Sequence, residues 1–168
     1  MEQVDIVDEQ GGVLYQTSKE EAHQKGLLHR TVIAEVRDSQ GRWLMVKQAP
    51  HKQDAGQYVS PVGGHVRAGE LEVAALERET EEEVGLKDFK FKRIGNAVYN
   101  REVTGRKENH LFIVYEVLSD QGPKINDESV EFHWFTLHEL REEYRAHPER
   151  FGGAFHFVVK KFYPELSE

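Results

Sequence analysis

The chain has 168 residues and a formal net charge of −8, which suits one ordinary domain with its own core and leaves too little for two. Non-specific binders of nucleic acid or anionic membranes present Lys and Arg to phosphate, so the acidic balance argues against both, and a phosphorylated substrate would have to arrive with metal. With no cysteine anywhere, disulfides, zinc thiolates and thiol nucleophiles are excluded together.

In chain order, Val4 to Val7, the turn Asp8 to Gly12, and Val13 to Tyr15 read as strand, turn and strand. Ser18 followed by Glu21 is a capping-box pattern, so a short helix is expected over Lys19 to Lys25, ended by Gly26. This N-terminal hairpin and helix take up about residues 1–28. Arg30 to Arg37 and Trp43 to Gln48 are apolar, β-branched runs around Asp38, Ser39, Gln40 and Gly41, the pattern of a hairpin of central strands. Ala49 to Gln57 has no periodicity and is expected as a loop bordering the site, leading to Tyr58, Val59 and Pro61.

The next stretch, Gly64 to Leu86, reads GHVRAGELEVAALERETEEEVGL, or G-x5-E-x7-R-E-x-x-E-E-x-G with Gly64, Glu70, Arg78, Glu79, Glu82, Glu83 and Gly85 in the named places. It holds seven acids against two bases, more than half of the chain's net charge. From Glu70 to Val84 there is neither Gly nor Pro, and Ala, Leu and Glu dominate, so a helix is expected, with Gly85 as its C-terminal cap. On that helix Glu79, Glu82 and Glu83 project from one face. Like charges at this spacing destabilise an isolated helix by about 0.2–0.5 kcal/mol per pair, so the cluster needs either full solvation or a cation. Carboxylate oxygens suit Mg2+ or Mn2+, and Mg2+ completes its shell with water and substrate phosphates, which is the chemistry of a diphosphate site. A solvated acidic face is the competing reading. Gly63 and Gly64 weigh against it, because they stand where backbone must approach closely or take positive φ. So does Arg78, whose guanidinium can hold one carboxylate in orientation.

Beyond this stretch, Phe89 to Tyr99 and Leu111 to Val117 read as strands about a turn at Thr104 and Gly105, and Val130 to Phe135 as another. Thr136 with Glu139 repeats the capping box and opens a helix to about Arg145. Ala154 to Tyr163 is an amphipathic packing helix stopped by Pro164. Strands mixed with helices on both sides of a central sheet give an α/β, or α+β, layered domain over residues 1–168. No apolar run of about 18 residues or N-terminal apolar segment occurs, so a cytoplasmic protein without a secretory signal or membrane span is expected.

The Gly64 to Leu86 stretch resembles a complete Nudix box, with Thr80 in place of the usual aliphatic residue as a minor departure. The resemblance implies a mixed β-sheet sandwiched between α-helices, with the box as a loop-helix-loop, and a hydrolase acting on the diphosphate linkage of a nucleoside diphosphate joined to another group, or of a related organic diphosphate. It implies Mg2+ or Mn2+ held by Glu79, Glu82, Glu83 and the carbonyl of Gly64, with Arg78 orienting Glu79. A further glutamate from outside the box is expected at Glu128, with Glu131 second and a surface-loop acid as the plain alternative. Glu70 is expected to fix the loop entering the helix. His65 faces substrate or metal in this reading, and Arg101, Arg106 and Lys107 are candidates to meet phosphate, with solvent as their alternative. The partner is a small molecule, neither nucleic acid nor membrane, and the chain is a monomer or homodimer.

A second resemblance lies in the flanks: KGLLHRTV (Lys25 to Val32), APHK (Ala49 to Lys52) and VGGH (Val62 to His65) are similar to type I isopentenyl diphosphate isomerases and the hydrolases most like them. It places His23, His29, His65 and Glu108 near that family's metal, although His23 and His29 can equally well serve only to shape the N-terminal elements. Alkene isomerisation needs a proton donor and an acceptor on opposite faces, which the isomerases supply from a cysteine and a glutamate. Here those positions correspond to Gly63 and His110. An intact box and a missing proton donor favour hydrolysis, with the isomerase and a non-catalytic Nudix-fold nucleotide-binding module as alternatives.

Overall fold

The computed structural model describes residues 1–168. The chain runs β1 (Gln3–Val7), β2 (Val13–Ser18), α1 (Lys19–Lys25), β3 (His29–Arg37), β4 (Trp43–Gln48), β5 (Tyr58–Val59), β6 (Val62–His65), α2 (Glu72–Val84), β7 (Lys90–Val103), β8 (Arg106–Leu118), β9 (Ser129–Phe135), α3 (Leu137–Ala146) and α4 (Gly153–Phe162). Strand β3 is the axis of one nine-stranded mixed sheet. Along one edge it pairs in parallel with β8, from His29↔His110 to Arg37↔Leu118. Its other edge is shared in turn by β1 at Ile6↔His29, by β6 from Thr31↔His65 to Ala34↔Val62, and by β4 at Val36↔Leu44 and Arg37↔Trp43.

A strand covered on both faces should be apolar without alternation, and β3 is buried almost throughout. On one face Val32, Ala34 and Val36 join Ala75, Leu76 and Val84 of α2 in a core with Ile113, Tyr115 and Val117 of β8. On the other, Ile33, Trp43, Met45, Phe112 and Val114 meet Leu140 and Tyr144 of α3 and Phe155, Val158 and Val159 of α4. Full burial of each such large side chain contributes about 1.5–3 kcal/mol. The result is the expected sheet between helices. No helix is long and apolar enough to cross a membrane.

Local signals explain the helix ends. Ser18 accepts from the Glu21 amide, Gly26 and Gly85 close α1 and α2 in the left-handed conformation, and Thr136 and Glu139 complete a reciprocal capping box. Helix α2 starts at Glu72 rather than Glu70, because the Glu70 carboxylate accepts from the Arg67 amide and from Arg78 in the preceding turn. The β3–β4 hairpin is also shorter than its sequence suggests. After two residue pairs β6 takes the edge of β3, and β4 diverges to pair with β9 from Trp43↔Phe135 to Gln48↔Ser129. Strands β7 and β8 run further than their apolar cores, meeting at a two-residue turn in which Thr104 and Gly105 both have positive φ.

Candidate active site

Arg78 organises the entry to α2. Its Nε and Nη2 donate to the Glu70 carboxylate at 2.9 Å, its Nη1 donates to Glu79 Oε1 at 2.6 Å, and its Nη2 also donates to the backbone oxygen of His65 at 3.0 Å. One half-buried guanidinium thus ties together the loop before α2, the end of β6 and the first acid of the cluster. Planar, fork-like donation to carboxylates is what distinguishes Arg from Lys at such a junction. Gly64 fits the same junction for a steric reason: a Cβ there would lie 2.1 Å from Glu79 Cδ. Gly63 differs from the expectation, since its Cβ would meet nothing within 4 Å and its φ is not positive. Its amide instead donates to Glu83 Oε2 at 2.8 Å.

The buried stripe Ala75, Leu76, Thr80 and Val84 seats α2 on the sheet and turns Glu79, Glu82 and Glu83 into a cleft of about 500 Å³. Glu128 reaches the same cleft because Asn126 bridges two elements, donating to the Glu82 carbonyl and accepting from the Glu128 amide, and because Lys52 Nζ donates to Glu128 at 2.9 Å. Glu131, the second candidate, is held outside the cleft by Lys47 at 3.0 Å. Burial, and then the Glu79 charge, push the Glu83 carboxyl well above the usual range; burial also raises Glu79 against the opposing pull of Arg78. For Glu128 burial is outweighed by Lys52, and its carboxyl lies below the usual range. Oxygen donors crowded in this way fit a hard divalent cation, and Gly64 lines the same cleft.

At the other end of the cleft stand Arg101, Arg106, His65 and His110. Arg101 is already matched, donating to Asp54 at 3.1 Å and to the buried Glu108 at 2.5 Å. Lys107 corrects its expectation: it does not line the cleft and lies beside Gly26 at the outer end of the β7–β8 hairpin. The loop after β4 borders the cleft as its composition suggests, through Lys52, Gln53 and Asp54. The specific contributions of Lys52 and Asp54 carry no sequence signal beyond the APHK likeness.

Four histidines from separate elements converge beside this end: His23 of α1, His29 at the start of β3, His65 at the end of β6 and His110 of β8, with one ring nitrogen from each lying within 4.8 Å of the others. His23, His29 and His110 are buried and His65 half-buried. Burial, then the Arg106 charge, lower His23 to about 4; burial and the neighbouring histidines take His65 and His110 well below the usual range. Sequence reading missed His110 as a member of the group, because only the parallel pairing His29↔His110 brings it there.

A sequence profile of the NUDIX domain matches residues 27–153. The isopentenyl-diphosphate Delta-isomerase of Serratia proteamaculans is 32% identical over 158 residues, spanning 92% of this chain and 88% of that protein. An uncharacterised Nudix hydrolase of Yersinia pestis is 33% identical over 103 residues, 61% of this chain and 57% of its own length. Among solved structures, a Deinococcus radiodurans protein superposes with a TM-score of 0.75 at 24% identity, covering 96% of this chain and 99% of that one. The MutT protein of Methanosarcina mazei gives 0.65 at 22%, covering 84% and 96%. At these identities the two structures speak for the fold alone.

Proposed function

The chain belongs to the Nudix family, and on that premise we propose that it is a metal-dependent hydrolase that cleaves the diphosphate linkage of a small molecule by attack of water on phosphorus. One observation carries the reading: Glu79, Glu82, Glu83 and Glu128 converge in one cleft beside Gly64. When bound there, Mg2+ or Mn2+ would lower the pKa of water and neutralise phosphate oxygens. Glu79, Glu82, Glu83 and the Gly64 carbonyl would hold it. The chain's own part is orientation. Arg78 fixes the Glu79 rotamer, the Gly63 amide fixes Glu83, and Lys52 keeps Glu128 against the helix while offering a cation to an arriving phosphate.

The isomerase reading draws on the relative named above and on the flanking likenesses. It meets an obstacle at Gly63, where there is room for a side chain but no group that can pass a proton. A nucleotide-binding module without catalysis is the remaining alternative.

Incubation of the wild-type chain and Mg2+ or Mn2+ with nucleoside di- and triphosphates, dinucleotides, nucleotide sugars and prenyl diphosphates, isopentenyl diphosphate included, separates the three. Metal-dependent hydrolysis is expected, and Glu82→Gln or Glu83→Gln should lower it by about 10³-fold or more, since metal charge stabilisation supplies several kcal/mol. Turnover unchanged in both variants would overturn the assignment. Formation of the dimethylallyl isomer would support the isomerase, and tight nucleotide binding without turnover the binding module.

A further inference from the structure

We infer that Ser60 contacts the substrate's phosphates in the cleft and that the buried carboxyl of Glu35 switches its hydroxyl between acceptor and donor, so that diphosphate binds more tightly when Glu35 carries a proton. The inference rests on the hydrolase reading, since it needs a diphosphate in the cleft. Its starting point is a seam in the sheet. Along one edge of β3, β6 pairs as far as Ala34↔Val62 and β4 takes over at Val36↔Leu44, which leaves Glu35 between the two partners. The short connection from β5 to β6 reaches this seam: Ser60 Oγ donates to Glu35 Oε2 at 2.6 Å, and Ser60 also lines the cleft. Glu35 is fully buried and Ser60 half-buried, so a single hydrogen bond joins the sheet interior to the site.

A serine hydroxyl has one proton and two lone pairs. Opposite an ionised Glu35 that proton is committed to Oε2, and the cleft is left with lone pairs that repel phosphate oxygens. Once Glu35 takes up a proton from solvent, the neutral carboxyl can donate to Ser60 Oγ, and the hydroxyl proton turns to a phosphate oxygen. The exchange redirects protons and leaves the backbone in place. The adjoining backbone offers no substitute: Pro61 has no amide proton, and the Gly63 amide is already given to Glu83.

The surroundings of Glu35 favour its protonation near neutral pH. The charged and titratable groups that face it are Glu116 across the strand pair, Tyr163 beyond the end of α4 and Arg37 of its own strand. Tyr163 donates to Glu116 at 2.8 Å and Arg37 lies 3.8 Å from Glu116, so both are turned to Glu116 rather than to Glu35. The second oxygen of Glu35 is unpaired. Burial, opposed by the Ser60 bond and reinforced by Glu116, brings the carboxyl to about 7. A bond that served only to satisfy a buried acid would affect stability and leave the response of binding to pH untouched.

The test uses the full chain. The Glu35 carboxyl 13C resonance, identified by its loss in Glu35→Gln, is titrated with and without Mg2+ and inorganic pyrophosphate. Pyrophosphate should raise the midpoint by about one pH unit, because a ligand that prefers the protonated form favours the proton in turn, and Ser60→Ala should hold the midpoint still. With any substrate turned over in the panel above, at saturating Mg2+, KM of the wild type should rise about tenfold more between about pH 6 and 9 than KM of Ser60→Ala or Glu35→Gln. Glu35→Gln, similar in shape and unable to ionise, carries the kinetic comparison if Ser60→Ala does not fold. A midpoint unmoved by bound pyrophosphate, or the same KM rise in all three proteins, would overturn the inference and leave hydrolysis standing. Absence of both turnover and pyrophosphate binding would instead overturn the hydrolase reading, and this inference with it.

Discussion

Gly63 and Gly64 are neighbours of identical composition with opposite tolerances. At Gly64 an added methyl would collide with the Glu79 carboxyl, so Gly64→Ala should expel that side chain from its bond with Arg78 and cut hydrolysis by at least about 10²-fold, the scale seen when one preorganised electrostatic group is lost. Gly63→Ala should stay within a few-fold of wild type, because its Cβ enters open space and its amide still reaches Glu83. Steady-state rates beside the circular dichroism of both proteins make the comparison, and equal losses would refute the steric account. The spacing of the box is enough to nominate Gly64, Arg78, Glu79, Glu82 and Glu83, because one helix and the loop before it hold them all. It does not separate Gly63 from Gly64, exclude Lys107, or gather His110. Those outcomes depend on which strand lies beside which, and long-range pairing leaves no local periodicity.

The loop that enters α2 lacks a side-chain cap, as Leu71 stands at the N-cap position, and the Glu70–Arg78 pair ties that loop to the helix. Both side chains are less than one-fifth exposed, so the pair is screened less than a surface one. Glu70→Gln should lower unfolding free energy by about 1.5–3 kcal/mol, the range for hydrogen bonds to charged groups, and loosen Glu79 through Arg78. Urea denaturation checks the first effect, and a fall in kcat with little change in KM checks the second; an unchanged midpoint would mean that the loop holds itself. Elements bounded by caps, such as α1 between Ser18 and Gly26 and α3 at Thr136, were legible to within a residue. The outer halves of β7 and β8 were not, since Arg101, Glu102, Arg106, Lys107 and Glu108 read as loop until the ladder from Tyr99↔His110 to Val103↔Arg106 pairs them.

At the scale of the molecule, the layering was legible from the alternation of element types, while the polar groups sealed inside the sheet were not. Glu35 of β3 sits opposite Glu116 of β8, fully buried beside the core that α3 and α4 cover, with one oxygen accepting from Ser60 Oγ at 2.6 Å and the other unpaired. Burial raises its pKa from 4.5 to about 7, the Ser60 bond opposes this, and Glu116 adds to it. The folded chain therefore holds the Glu35 proton more tightly than the unfolded chain. Its contribution is fully present below about pH 4.5 and declines as the pH rises toward 7, because over that interval only the unfolded state has released the proton. The shift corresponds to about 3 kcal/mol at 1.36 kcal/mol per pKa unit. Glu35→Gln, which cannot ionise, should lose that slope: relative to wild type it should gain about 3 kcal/mol between pH 4.5 and 8. Unfolding free energies of both proteins across this range give the difference directly. Parallel curves would place the Glu35 pKa in the ordinary range and show that water reaches the carboxyl between the layers.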